Sequence, residues 1–213
     1  MPVELNDVEA RILGSLVEKS LTTPDQYPLT LNALVNACNQ KTSREPVMNL
    51  DDAAVCRGLA ALLEKGLVQR RHVPGSRVPK LEHCIGKLLN GENVKEVAAI
   101  CLLLLRGPQT AGEIKTRSER LCDFSGTAEV EALLLDLSSR EGGALAARLE
   151  RQAGQKEARY RHLFSESRPD AAAAPAASAA SDPLTQLEKR VAALEARVVT
   201  LEGRSRAQTP VQG

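Results

Sequence analysis

Hydrophobic positions along the chain follow the same order twice, at an offset of about 75 to 80 residues. Each copy has three segments with helical spacing, followed by two short strand-like runs. In the first copy the helical positions are Leu5, Val8, Ile12 and Leu16, then Leu31, Leu34 and Val35, then Val55, Leu59, Leu62 and Leu63. Three helices followed by a hairpin predict a winged helix-turn-helix domain.

The second copy repeats this pattern. Its helical positions are Val94, Val97, Ala98, Cys101, Leu102 and Leu105, then Ile114, then Val130, Leu133, Leu134 and Leu137. Its hairpin closes at residues 160–164, where the first closes at residues 81–85, and Gly142 and Gly143 stand where Gly66 stood. The sequence therefore predicts a mainly α protein with small β-hairpins, built from tandem winged helix-turn-helix domains.

Local chemistry predicts where several helices begin. Asn6 with Glu9, and Thr110 with Glu113, have the spacing of a capping box. Asp51 is the expected N-cap of the third helix in the first copy. The proline-bounded stretch 22–29 can supply the short first strand of a winged helix.

Beyond residue 165 the composition changes to Ala, Pro and Ser, which predicts a linker. Apolar residues then recur at steps of three and four, the heptad pattern of a coiled coil. The predicted divisions are 1–88 and 89–166 for the winged-helix domains, 167–182 for the linker, 183–204 for the coiled coil and 205–213 for a disordered tail.

The heptads predict a weak parallel homodimer. β-Branched residues fall mainly at a and leucines at d, and in a parallel pair basic g residues face acidic e residues. The seam residues are Leu184, Leu187, Val191, Leu194, Val198 and Leu201, and the ion pairs are Arg190 with Glu195 and Arg197 with Glu202. The alternative is a lone amphipathic helix that packs on the domains or binds another protein.

Composition limits the function classes. The 213 residues are 43% hydrophobic but only 2% aromatic, and the net charge is +1, so any nucleic-acid interface must rest on local basic patches. The longest apolar run, 97–105, is too short to span a bilayer, and the first residues do not have the pattern of a signal peptide. We expect a soluble cytoplasmic protein with no membrane association.

A long turn between the second and third helices, residues 37–49, exceeds what a helix-turn-helix needs. This turn and the segment 22–29, together with residues 9–11 and 18–19, resemble the YceH-like family of uncharacterised bacterial proteins. The resemblance continues through residues 104–110 and 159–164. It implies a tandem winged-helix fold, often with a helical tail, and no catalytic residues. We expect the turn to be ordered, as a brace or as a partner-binding surface.

Basic residues concentrate in the two hairpins, whereas the third helices begin with carboxylates that do not suit DNA reading. Basic hairpins can contact phosphate, although such charges also serve solubility and edge protection. The candidate nucleic-acid contacts are Lys41, Arg44, Arg57, Lys65, Arg70, Arg71, Arg77, Lys80, Arg148, Arg151, Lys156 and Arg159.

An enzyme has little support in the sequence. No nucleophile motif, phosphate loop or metal-ligand spacing is present, so we expect no catalytic residue, metal or cofactor. His83 and His162 fall at matching places in the two copies, which favours a structural role. The five cysteines indicate neither a disulfide framework nor a zinc site, and only Cys38 and Cys122 merit a reactivity test.

Two functions remain open. The first is a DNA-associated or regulatory protein whose basic hairpins contact the phosphates of double-stranded DNA. The alternative is an adaptor whose winged helices bind a protein partner. The acidic third helices and the near-neutral net charge favour the adaptor, whereas the basic hairpins favour DNA.

Overall fold

The first helix, α1 (Asp7–Thr22), begins at the predicted capping box. The computed structural model describes residues 3–91, 93–140, 142–151, 155 and 157–165. In it, the Asn6 side chain accepts hydrogen bonds from Val8 N and Glu9 N, and Glu9 Oε2 accepts one from Asn6 N at 3.2 Å. These contacts satisfy backbone donors that a helix end leaves unpaired, and the predicted start is confirmed.

The first repeat, residues 5–89, continues with a 3₁₀ turn at Pro24–Gln26, α2 (Leu31–Cys38), α3 (Asp52–Glu64), β1 (Val68–Arg71), β2 (Lys80–His83) and α4 (Gly86–Leu89). Asp51 accepts a hydrogen bond from Ala54 N at 2.7 Å, which confirms it as the N-cap of α3. The stretch 22–29 supplies one bridge, Leu29 to Leu81, rather than a strand. Pro24 and Pro28 lack the backbone donors that a longer ladder needs.

The second repeat, residues 94–164, consists of α5 (Val94–Arg106), β3 (Gln109–Thr110), α6 (Ala111–Arg117), α7 (Thr127–Ser139), β4 (Ala146–Arg148) and β5 (Arg159–His162). The predicted capping box of Thr110 and Glu113 opens α6. The sheet order is β3–β5–β4, with both pairs antiparallel. The described chain is therefore mainly helical with small antiparallel sheets.

The hairpins of the two repeats match in register. Val68 opposite His83 in the first corresponds to Ala146 opposite His162 in the second. One further backbone bond recurs, from Cys84 N to Leu67 O at 2.7 Å and from Leu163 N to Leu145 O at 3.0 Å. The sequence repeat is thus also a repeat of backbone pairing.

The two repeats share one hydrophobic core, because their first helices, α1 and α5, pack against each other. A Cβ on Gly14 would lie 2.9 Å from Leu105 Cδ2, so this close approach depends on glycine. Every residue of α5 from Val97 to Leu105 is buried. The described residues belong to one compact unit. The predicted division at residues 88 and 89 falls at the end of α4 and stays a prediction.

The predicted linker, coiled coil, tail and dimer contacts lie outside the described residues. Within the described part of the chain, no helix is both long and apolar enough to cross a membrane.

Candidate nucleic-acid interface

The first basic hairpin is the antiparallel pair β1–β2. Arg70 lies opposite Leu81, and both belong to the strand face that carries Val68. Leu81 and Val68 are buried, whereas Arg70 is exposed. The inward face of this hairpin therefore passes from the core to an exposed guanidinium within three residues.

The other face of the hairpin holds an ion pair. Gln69 Nε2 donates to Glu82 Oε2 at 3.0 Å, and Arg71 Nη1 donates to Glu82 Oε1 at 2.9 Å. The Arg71 side chain is 60% exposed, and a pair so open to solvent contributes little to stability. Arg71 can therefore exchange Glu82 for a phosphate at small cost.

The second hairpin, β4–β5, places Arg148 opposite the buried Tyr160, as Arg70 lies opposite Leu81. Arg148 is exposed. Arg159 lies at the register position equivalent to Lys80 in the first hairpin, but its guanidinium already makes two hydrogen bonds. Its Nη1 donates to Pro108 O at 2.7 Å and its Nη2 to Glu113 Oε1 at 3.2 Å. Arg148 is thus the more available of the two arginines.

The remaining candidates differ in availability. Lys65 Nζ contacts Glu4 O and Glu9 Oε2, each at 2.6 Å. Lys80 is half-buried, and Lys156 lies outside the described residues. Six candidates are exposed and have no hydrogen-bond or ion-pair partner in the described part of the chain: Lys41, Arg57, Arg70, Arg77, Arg148 and Arg151.

Arg44 is not a surface cation, which corrects its assignment as a phosphate contact. Its side chain is 0% exposed, and its Nη1 and Nη2 donate to the two carboxylate oxygens of Glu18 at 3.0 and 2.6 Å. Its Nε and Nη2 also donate to Ala37 O at 3.1 and 2.9 Å. Carbonyl groups of the turn and a carboxylate of α1 hold this guanidinium inside the protein.

A second buried arginine fixes the same long turn. Arg11 is 2% exposed and donates to Cys38 O at 3.2 Å and Pro46 O at 2.6 Å. Asn39 exchanges two 2.8 Å hydrogen bonds with the backbone of Leu50 and closes the turn. Glu45 N donates to Leu105 O at 2.9 Å, which ties the turn to α5. The turn is therefore ordered, and these contacts favour the brace.

Sequence reasoning placed Glu9-Ala10-Arg11 and Glu18-Lys19 in the family-like motif without giving Arg11 and Glu18 a role. The available signal was that charged residues interrupt the apolar stripe of α1, where an uncompensated charge is costly to bury.

Each third helix has a carboxylate at its N-cap or in its first turn that is already engaged in hydrogen bonds. Asp51 caps α3. In α7, Glu129 contacts Lys95 Nζ and accepts hydrogen bonds from Ser125 N at 2.7 Å and Ser125 Oγ at 2.9 Å. The hydrogen bond from Lys95, with those from Ser125, lowers the pKa of Glu129 to about 2. These acidic helix ends disfavour a close approach of phosphate.

The two matching histidines make the same local contact. His83 Nδ1 accepts from Ile85 N at 3.4 Å, and His162 Nδ1 accepts from Phe164 N at 3.3 Å. Burial lowers the pKa of His162 to about 4. A shared contact with the backbone after the strand supports the predicted structural role.

The cysteines selected for a reactivity test have surroundings that disfavour the thiolate. Burial raises the pKa of Cys38 to about 11 and also raises the pKa of Cys122. Thiolates are the reactive form, so the raised pKa disfavours reaction at both, and Cys38 is also buried. Cys56 on α3 is the exposed cysteine.

The sequence matches the family model "Protein of unknown function, DUF480" over residues 5–155. A UPF0502 protein of Vibrio parahaemolyticus is 47% identical over 208 residues, which cover 95% of this chain and 96% of the relative. One from Shewanella pealeana is 48% identical, with 94% and 93% covered. One from Pectobacterium carotovorum is 45% identical, with 95% and 96% covered. These relatives confirm the resemblance to the YceH-like family, which the sequence motifs indicated.

Proposed function

The chain belongs to the DUF480 family of uncharacterised bacterial proteins, also called UPF0502, and we propose that it is a non-enzymatic tandem winged-helix protein of the cytoplasm. It binds the phosphate backbone of double-stranded DNA through its two hairpins. The order of elements supports the winged-helix assignment, since three helices precede an antiparallel hairpin in each repeat. Because each repeat contains a basic hairpin, both repeats can contact DNA phosphates in the same way.

The observation that carries this proposal is the matched pair Arg70 and Arg148. Both lie at equivalent register positions, both are exposed, and neither has a partner among the described residues. Core packing accounts for the buried residues opposite them. It does not account for two solvent-exposed guanidinium groups at the same place, whereas a repeated phosphate contact does.

The expected binding is electrostatic and modest. If the exposed hairpin arginines Arg70, Arg77, Arg148 and Arg151 each neutralise one phosphate, log K falls with log salt at a slope of about −3.6. Because the net charge is only +1, binding should be clearest at low salt.

Replacing the matched arginines tests the proposal. Arg70→Ala and Arg148→Ala should each reduce the salt slope by about one, and the double variant by about two, in fluorescence anisotropy with labelled duplexes. Arg120→Ala is the matched control, since Arg120 is exposed, outside both hairpins and without a partner in the described chain. Unchanged binding by the folded double variant would remove both arginines from the interface. No duplex binding by the wild-type protein at low salt would contradict the proposal itself.

A second candidate function is a protein-interaction adaptor. Val47 on the long turn is 57% exposed and Leu135 on α7 is 45% exposed, and large apolar side chains at these positions suit a protein partner. Purification from the native host under nuclease treatment separates the two functions. A partner that survives nuclease and is lost in Val47→Asp or Leu135→Asp favours the adaptor. The absence of any such partner contradicts it.

In either case we propose that the C-terminal heptads form a weak parallel homodimer. The full chain should then sediment above its own monomer mass, whereas Leu194→Lys and a truncation after Ser165 should each sediment at their own monomer mass. If all three proteins sediment at their own monomer masses at high concentration, the dimer is excluded.

A further inference from the structure

Helices α3 and α7 are the third helices of their repeats. In helix-turn-helix proteins the corresponding helix enters the major groove. Side chains that match base edges there are mainly Arg, Lys, Asn and Gln. Helix α7 contains none of the four, and α3 contains one, Arg57. The hydroxyl groups near the end of α7 are also occupied, since Ser138 donates to Leu134 O at 2.6 Å and Ser139 to Leu135 O at 3.0 Å. These helices therefore have few groups with which to read bases.

Charge adds to this deficit. The first turn of a groove-entering helix lies nearest the bases and the flanking phosphates. In this protein Asp52 is exposed in the first turn of α3, and Glu131 is exposed one turn into α7, after the first-turn Glu129 that Lys95 already pairs. No ion pair within the described residues neutralises Asp52 or Glu131. These two carboxylates would repel the phosphates that flank a groove.

Single-stranded nucleic acids are a poor match for a different reason. Proteins that hold single strands stack bases on exposed aromatic side chains. The chain has two Tyr, two Phe and no Trp. Phe124, Tyr160 and Phe164 are buried, and the half-buried Tyr27 accepts a hydrogen bond from His83 N through its hydroxyl. No Phe, Tyr or Trp is left to form an exposed stacking surface.

We infer that the protein binds duplex DNA independently of base sequence and prefers a duplex to either of its separated strands. This inference rests on the proposed function and specifies the substrate class of the same hairpins. The contacts come from flexible cations on the hairpins, which recognise the regular spacing of duplex phosphates. The helices that would add sequence discrimination expose a single base-matching side chain, Arg57, together with several carboxylates.

The test compares affinities at one low salt concentration. Wild-type protein is titrated into labelled duplexes of AT-rich, GC-rich and shuffled mixed sequence, and into each separated strand. A randomised duplex pool is also taken through several rounds of selection. A sequence reader loses about 5- to 150-fold in affinity for each mismatched base pair. We expect the duplexes to agree within about 2-fold, far below that range. We also expect no enriched motif and weaker binding of the single strands.

Arg57→Ala serves as the internal variant, because Arg57 is the single base-matching side chain on α3. We expect it to leave the ratio of affinities between duplexes unchanged. An enriched motif, or a ratio that depends on Arg57, overturns sequence independence while leaving DNA binding intact. Single strands that bind as tightly as duplexes overturn the duplex preference. Failure of every nucleic acid to bind refutes the proposed function, and the inference with it.

Discussion

Arg44→Ala should destabilise the protein by about 3 kcal/mol. The variant removes a fully buried guanidinium and leaves the Glu18 carboxylate, which is 13% exposed, without its two charged hydrogen bonds. Breaking one partner of a buried pair costs about 3 to 5 kcal/mol. We expect the lower end, because Lys19 Nζ remains 3.6 Å from Glu18 Oε2. Against a total stability of about 5 to 15 kcal/mol, such a loss is easily measured.

Urea denaturation followed by circular dichroism measures this loss at two pH values. Burial raises the pKa of Glu18, but the hydrogen bonds and charge of Arg44 outweigh burial and hold that pKa below its usual value of 4.5. The stability from this pair is therefore present above pH 4.5 and disappears as pH falls through the lowered pKa. In Arg44→Ala, burial raises the pKa of Glu18 without opposition from Arg44. The difference in free energy of unfolding between wild type and Arg44→Ala should therefore shrink at acidic pH.

Lys41→Ala is the matched control, since Lys41 is an exposed cation of the same turn. It should change stability by less than about 0.5 kcal/mol. The double variant Arg44→Met with Glu18→Leu should lose less than the sum of the single losses, because neither charge remains buried alone. If Arg44→Ala costs no more than Lys41→Ala and shows no pH dependence, the turn is not braced by this pair.

Three further predictions test packing and burial. Gly14→Ala places a Cβ 2.9 Å from a side chain of α5 and should cost about 1 to 3 kcal/mol in denaturation, whereas Gly91→Ala, with no neighbour in reach, should cost far less. His162→Gln should flatten the fall in stability between pH 6.5 and about 4, since burial lowers the pKa of His162 and the unfolded chain takes up the proton first. A flat wild-type profile in that range would refute this assignment. A thiol reagent should modify the exposed Cys56 rapidly in the native protein and modify the buried Cys38 and Cys101 only on unfolding; early loss of a buried thiol would contradict the packing.

Local chemistry made the helix starts predictable from sequence. The caps at Asn6, Asp51 and Thr110 each involve groups within three residues, so a short window contains the whole interaction. Arg44 was misassigned for the opposite reason. Its carboxylate partner is 26 residues away, and nothing near Arg44 in the sequence indicates that α1 will bury it.

Packing between the repeats was also beyond the sequence pattern. Apolar spacing indicates which face of a helix is buried, but not which element covers it. The continuous burial of α5 follows from its position against α1, α6 and α7 in the shared core. The short helix α4, at four residues, offers too few positions for a periodic signal.

The repeats also provide an internal comparison of the candidate interface. On the outer hairpin face, Glu82 in the first repeat corresponds to Arg161 in the second, so the charge at this position has reversed. At the position of Arg70, by contrast, the second repeat again has an arginine, Arg148. A buried position can hold similar residues in both repeats because core packing requires it. Core packing places no such requirement on an exposed arginine. The persistence of this charge beside a reversed one therefore favours a function outside the fold, and phosphate contact is the function that its exposure and geometry suit.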